Sequence, residues 1–225
     1  INLACNAAIP IYTVSQGPRA GGRRGWADLG FGFGTPSQSL LDAYEAGDRR
    51  REATIIFINQ PPRGTVLWDG YRIPSRDSVE NDRYNYKAYH SRTAERNCGV
   101  NDRLPKNLRI LRLGEVLLIH AEAALATGKP AEALADVNRL RARAGLPALT
   151  SIDLPRLWQE RRVELAMEHD RFFDLVRQEE LQPGRAVAAF QAHGKTWVKG
   201  KNEVFPIPQV QIQLSGGVLT QNPGY

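Results

Sequence analysis

The residues whose types and spacing could do chemistry are concentrated between Arg161 and Arg177, in the run RRVELAMEHDRFFDLVR. Read as one helix, Arg161, Glu164, Glu168 and Arg171 fall at steps of three, four and three, so they stack on one face, with Asp174 three residues further on. Carboxylates roughly 5 to 10 Å apart can serve as the acid and base of glycoside hydrolysis. Each acid here has an arginine one turn away, however, so the ladder predicts structural ion pairing and no catalytic residue. Arg162, Arg171 and Asp174 are expected to tie this helix to neighbouring loops. Trp158, Leu165, Phe172 and Val176 form an apolar stripe beside the charges.

A second constellation is aromatic. Trp26, Trp68, Tyr71, Tyr84 and Tyr86 lie in polar, loop-like sequence, with Asp69, Arg72, Arg76, Asn81 and Asn85 close by. Sugar rings have apolar C–H faces that suit flat side chains, and polar neighbours can bond their hydroxyls. Any one of these aromatics could instead simply pack a loop onto the core. As a group they predict a binding surface, and Trp26, Trp68, Tyr71, Arg72, Tyr84 and Tyr86 are the candidate ligand-binding residues.

Other chemistries lack their residues. There is no HExxH, no GxSxG and no Walker loop; Gly30-Phe-Gly-Phe-Gly34 lacks the lysine and the preceding strand of a phosphate loop. Neither Cys5 nor Cys98 has a histidine at ligand spacing, so no metal site and no cofactor are expected. The two cysteines would pair in an oxidising compartment and stay thiols in a reducing one, and both readings stand. His120, on an otherwise apolar helix, reads as a hydrogen-bonded packing residue. The net charge of +6 comes from arginines mixed with acids, without a block of like charge, so nucleic-acid binding is disfavoured.

These side chains need a scaffold, and 225 residues suffice for a sizeable core. Residues 1–107 are rich in Gly, Pro and aromatics and read as a loop-rich, ligand-facing region. Within it, Ile9–Val14 and Thr54–Ile58 read as strands, Gly17–Gly34 as a loop, and Pro36 as the start of a short helix stopped by Gly47. Residues 108–180 read as a helical core. Leu108–Ala126 is one helix, with Leu111, Gly114, Leu118 and Leu125 on one side, and Gly128 caps it. Pro130 opens a second helix to Ala144, ended by Gly145. Its alanines resemble the contact of a tetratricopeptide helix pair, where small side chains let two helices approach. A third long helix runs from Pro155 to about Arg177. Residues 181–225 read as an extended tail, with a short strand at Thr196–Val198. No run is long and apolar enough to span a membrane. The start, INLACNAAIPIY, lacks the basic and apolar parts of a secretion signal, so the chain reads as a mature or truncated piece.

Several pieces, in order, resemble the SusD/RagB family of outer-membrane nutrient-binding lipoproteins. Gly47-Asp48-Arg49-Arg50 is similar to its GDxR element, and Arg109–Ala123 to its LRxAEVLLxxAEA helix. Asn138–Leu146 is similar to NxxRxRAGL, and Glu160–Arg177 to ERRxELxxEGxRxFDLxR. Phe205–Gln209 and Gln221–Tyr225 are similar to its PIP turn and its terminal QNPGY. The match spans roughly residues 36 to 225. Gly114 stands where the family commonly has Ala, and His169 where it commonly has Gly. Family members are about twice as long, so the chain resembles their C-terminal half. The resemblance implies a mainly α, SusD-like fold: one tetratricopeptide-type helix pair and a third long helix, with long irregular loops and a few short strands. It implies a non-enzymatic, cell-surface protein of the outer membrane, lipid-anchored through an N-terminal part outside this chain. Such a protein binds oligosaccharides or other nutrients and passes them to a SusC-like TonB-dependent transporter. A tetratricopeptide-type protein-interaction module and a basic nucleic-acid-binding protein are the alternative readings.

Overall fold

The structure is a computed structural model that describes residues 15–18, 30–91, 94 and 109–225. The Ile9–Val14 strand, Trp26, Cys5 and Cys98 lie outside the described residues. The chain divides into two compact units, Ile1–His169 and Asp170–Tyr225.

In the first unit, Ser37 caps the short helix α1 (Gln38–Leu41), its Oγ accepting from the Leu40 N–H at 3.2 Å. Helix α2 (Arg50–Thr54) runs straight into strand β1 (Ile55–Phe57). The β-branched run read as a strand is one, and it pairs antiparallel with β4 (Arg83–Asn85), Ile56 opposite Tyr84. Between them, β2 (Thr65–Val66) and β3 (Arg72–Ile73) form a hairpin, Thr65 opposite Ile73 and Val66 opposite Arg72. Ile56, Leu67, Ile73, Val79 and Tyr84 make one apolar core under these strands.

Helices α3 (Leu113–Ala126) and α4 (Pro130–Ala144) pack as the expected pair. Ala121, Ala124 and Ala133 are buried between them with Leu118, Val137 and Leu140. Helix α3 begins only at Leu113, with Arg112 at its N-cap, so Leu111 precedes the helix, does not lie on its inward side and is exposed. Gly145 ends α4 in a left-handed conformation, φ +79°; a Cβ there would also lie 2.9 Å from Arg49 Nε. Helix α5 (Leu154–Glu164) starts at Asp153, whose side chain accepts from the Arg156 N–H.

The third helix is shorter than expected. α5 stops at Glu164, and Met167 and His169 take left-handed backbones, φ +66° and +74°. Two cations explain the stop. The Glu164 carbonyl accepts from Arg112 Nη2 at 2.7 Å and Lys87 Nζ at 2.9 Å, which satisfies a helix end without a further turn. Glu168 and Arg171 are therefore not on the helix of Arg161 and Glu164. The apolar stripe divides in the same way.

In the second unit, α6 (Arg171–Leu181) and α7 (Arg185–Gln191) hold Leu175, Ala186 and Trp197 as a small core, with Phe172 and Phe190 against it. Thr196–Val198 is not a strand; Trp197 is buried in that core instead. The tail carries a further helix, α8 (Gln209–Leu214), beyond the turns read from sequence. Its two motifs meet: the Gln221 side chain bonds Ile207 N–H at 2.8 Å and Ile207 carbonyl at 2.9 Å, and Asn222 Nδ2 donates to the Phe205 carbonyl at 2.6 Å.

Candidate functional site

The β2–β3 hairpin presents the aromatic candidates. Its loop is Trp68-Asp69-Gly70, closed by the Leu67 N–H donating to the Tyr71 carbonyl at 2.9 Å. Gly70 has φ +80°, the left-handed third position that such three-residue hairpin loops commonly need. Asp69 turns inward and holds the loop: it accepts from the Tyr71 N–H at 3.0 Å, the Tyr89 hydroxyl at 2.8 Å and the Ser91 hydroxyl at 2.5 Å. Trp68 points the other way and is 64% exposed. Its backbone N–H donates to the Tyr86 hydroxyl at 2.9 Å, so a neighbouring strand end fixes the tryptophan's position.

The other candidates sort by burial. Tyr71 and Tyr86 are half-buried and pack on the strand core. Tyr86 meets Tyr89 edge-on, ring centroids 5.9 Å apart. Arg72 is exposed on the hairpin and donates through Nη1 to the Arg63 carbonyl. Tyr84 is fully buried, and its hydroxyl accepts from the Asn81 N–H at 3.0 Å, which gives it a packing role in this unit. The structure thus gathers Trp68, Tyr71, Arg72 and Tyr86 about one hairpin and leaves Tyr84 beneath it.

The charge ladder forms a different centre. Glu160, Glu164 and Glu168, at steps of four, meet cations from four other segments. Arg50 grips Asp48 with Nη2 to Oδ2 at 2.7 Å and reaches Glu160 Oε1 at 2.5 Å and Glu164 Oε2 at 3.2 Å. Arg112 bonds Glu164 Oε1 and Glu168 Oε2, both at 2.6 Å. Arg141 joins Glu160 to Glu45, and Arg143 reaches Glu164 Oε1. Lys87 Nζ bonds Glu168 Oε1 at 2.5 Å. Glu160, Glu164 and Glu168 are thus ion-paired with cations of other segments. Arg161 faces Glu115 at 3.7 Å, and Arg162 donates to the Ser39 carbonyl at 2.9 Å. Asp174 pairs with Arg177 at 3.1 Å in the second unit, where Arg171 opens α6.

The electrostatics of this network bear on the acid–base question. Burial alone would raise the Glu164 carboxyl, but hydrogen bonding and charge from Arg112, with Arg143 and Arg50, hold it down at about 2. Glu168 is lowered against its burial by Arg112 and Lys87 in the same way. A carboxyl so held has no proton to donate at neutral pH, and its oxygens are already occupied. The cluster is therefore built to hold segments together. Nothing in the sequence pointed to Lys87 or Glu45. Arg50, Arg112 and Arg141 did carry a signal: each lies in one of the motifs quoted above, and those motifs converge on this one network.

Among the described residues no group of His, Cys, Asp and Glu could hold a metal ion, and no helix is long and apolar enough to cross a membrane. His120 lies exposed between α3 and α4, its Nδ1 2.5 Å from Asp136 Oδ2.

The architecture has known relatives. The SusD family model matches residues 11–225, and the chain belongs to that family. It is 28% identical over 214 residues to the SusD-like protein P2 of Formosa agariphila, covering 87% of this chain and 41% of that protein. Among solved structures it is similar to surface glycan-binding protein A from Bacteroides uniformis, with a TM-score of 0.72 and 26% identity, over 95% of this chain and 46% of that one. A laminarin-binding SusD-like protein matches with a TM-score of 0.70 and 28% identity, over 99% of this chain and 49% of that one. The chain thus spans less than half the length of each.

Proposed function

We propose that the protein captures oligosaccharides at the cell surface, with the β2–β3 hairpin as part of the binding face. The observation that carries this reading is the exposure of Trp68 on a hairpin held from behind by Asp69 and Tyr86. A ring so presented can stack on the apolar face of a sugar without paying to reorder itself on binding. Arg72, exposed on the same hairpin, adds a guanidinium, while Tyr71 packs half-buried on the strand core. Family membership supports the reading, and two similar structures are named for glycan or laminarin binding.

Binding is non-covalent and needs no cofactor or metal. In the whole protein, the bound glycan passes to a SusC-like TonB-dependent transporter, and a lipid anchor keeps the protein at the outer membrane. A second reading, a protein-interaction surface on the helix pair, is favoured by one observation: Leu113, Val116 and Ile119 are exposed at steps of three along α3. Such a module would bind protein and be indifferent to sugars.

Calorimetric titration against a panel of oligosaccharides, laminarin fragments included, tests the proposal. Saturable binding, weakened about tenfold by Trp68→Ala, is the expected result. Binding unchanged by that substitution would remove the hairpin from the site, and the absence of binding to every glycan would remove the capture reading.

A further inference from the structure

The hairpin that carries Trp68 also carries two guanidinium groups without an acid. Arg72 stands opposite Val66 in the β2–β3 ladder, and both are exposed beside Trp68. Its Nη1 donates to the Arg63 carbonyl, which presets the guanidinium and leaves most of its five N–H donors open. Arg63 itself is exposed at the foot of the same hairpin. Among the described residues neither arginine bonds a carboxylate. The acid nearest in sequence, Asp69, is turned inward onto Tyr71, Tyr89 and Ser91. The arginines of the charge network differ: Arg50, Arg112, Arg141 and Arg143 all meet carboxylates.

A neutral sugar leaves such a positive charge uncompensated. An anionic group accepts charge-assisted hydrogen bonds that are roughly twice as strong as neutral ones, and the planar fork of arginine suits a carboxylate or a sulfate. The geometry points to an anionic glycan as the ligand of this hairpin: a sugar whose ring stacks on Trp68 while its carboxylate or sulfate ester is bound by Arg72, with Arg63 adding to the local positive potential. This inference rests on the hairpin being the glycan site.

The test compares three probes of similar length on the same protein: an oligogalacturonate, a sulfated galactan oligosaccharide and neutral laminarihexaose. The first two separate a carboxylate from a sulfate ester as the anionic group. The expected result is tighter binding of at least one anionic probe than of laminarihexaose, weakening as salt rises. Arg72→Gln should cut that anionic-over-neutral ratio about tenfold, and Arg63→Gln should cut it less. Thermal unfolding of both variants checks that they fold. Laminarihexaose bound as tightly as both anions, or a ratio unmoved by Arg72→Gln, overturns the inference. If Trp68→Ala still weakens the neutral probe in that case, the capture reading survives it. If no probe binds, both fail together.

Discussion

Arg112 bonds Glu164 twice, once through the side chain and once through the backbone: Nη1 meets Oε1 at 2.6 Å and Nη2 meets the carbonyl oxygen at 2.7 Å. One guanidinium therefore neutralises a buried carboxylate and also closes the helix that carries it. The Glu164 side chain is only 1% exposed, so its charge depends wholly on Arg112, Arg50 and Arg143. We expect Glu164→Gln to cost about 3–5 kcal/mol in urea unfolding, because it leaves cations without their carboxylate. Lys129→Gln, which breaks an exposed pair with Glu132, should cost less than about 1 kcal/mol. Equal costs would mean that the buried network contributes no more than a surface pair.

The same carboxylate sets an acid limit. Glu164 is held at about 2, against an ordinary 4.5. Between those values the unfolded chain carries a proton that the folded chain does not, so stability is full above the window and falls as the pH drops through it. Glu168 and Glu45 shift in the same direction, Glu168 through Arg112 and Lys87, Glu45 chiefly through its bond with Arg141. Urea midpoints should therefore drop steeply below about pH 4.5, and the slope should be shallower in Glu164→Gln. An unchanged slope would place the acid sensitivity elsewhere.

The helix pair was legible because its punctuation is local. Pro130 and Gly145 bracket α4 at the positions their backbone preferences dictate, and the alanines between α3 and α4 announce close packing. The break after Glu164 was not legible. The helical period runs on through Met167 and His169, with no Gly or Pro to interrupt it, and the groups that stop the helix come from Lys87 and Arg112. The aromatic candidates could be named from composition alone, but which of them faces solvent depends on long-range pairing. Tyr84 is buried by pairing with Ile56, whereas Trp68 sits in a loop between two strands of two residues each, too short to read from periodicity.

His169 has a φ of +74°, a backbone conformation that glycine adopts at little cost. The left-handed region crowds a Cβ against the neighbouring carbonyl, at a cost of roughly 1 kcal/mol that glycine escapes. His169 also contacts Gln16, Nε2 to Nε2 at 3.2 Å, so the native side chain is not a neutral reference. The cleaner comparison is between two truncations. His169→Gly should be about 1 kcal/mol more stable than His169→Ala in thermal or urea unfolding. The reverse order would show that residue 169 is not left-handed in solution.

Trp68 and Tyr84 differ in burial by nearly the whole range, 64% against 0% exposed, although both were read as ligand-facing aromatics. Their truncations should separate stability from binding. Tyr84→Ala empties a site in the strand core and leaves the Asn81 N–H without its acceptor, so a loss of about 3–5 kcal/mol is expected. Trp68→Ala removes mostly solvent-facing surface and should change stability by less than about 1 kcal/mol, while weakening glycan binding. Tyr86→Phe tests the link between the two roles. It deletes only the hydroxyl that accepts from the Trp68 N–H, so the loop loses its fixed position while the ring keeps its packing. Weaker glycan binding at nearly unchanged stability would identify Tyr86 as the residue that positions Trp68. Unchanged binding would mean that Asp69 alone is enough to hold the loop.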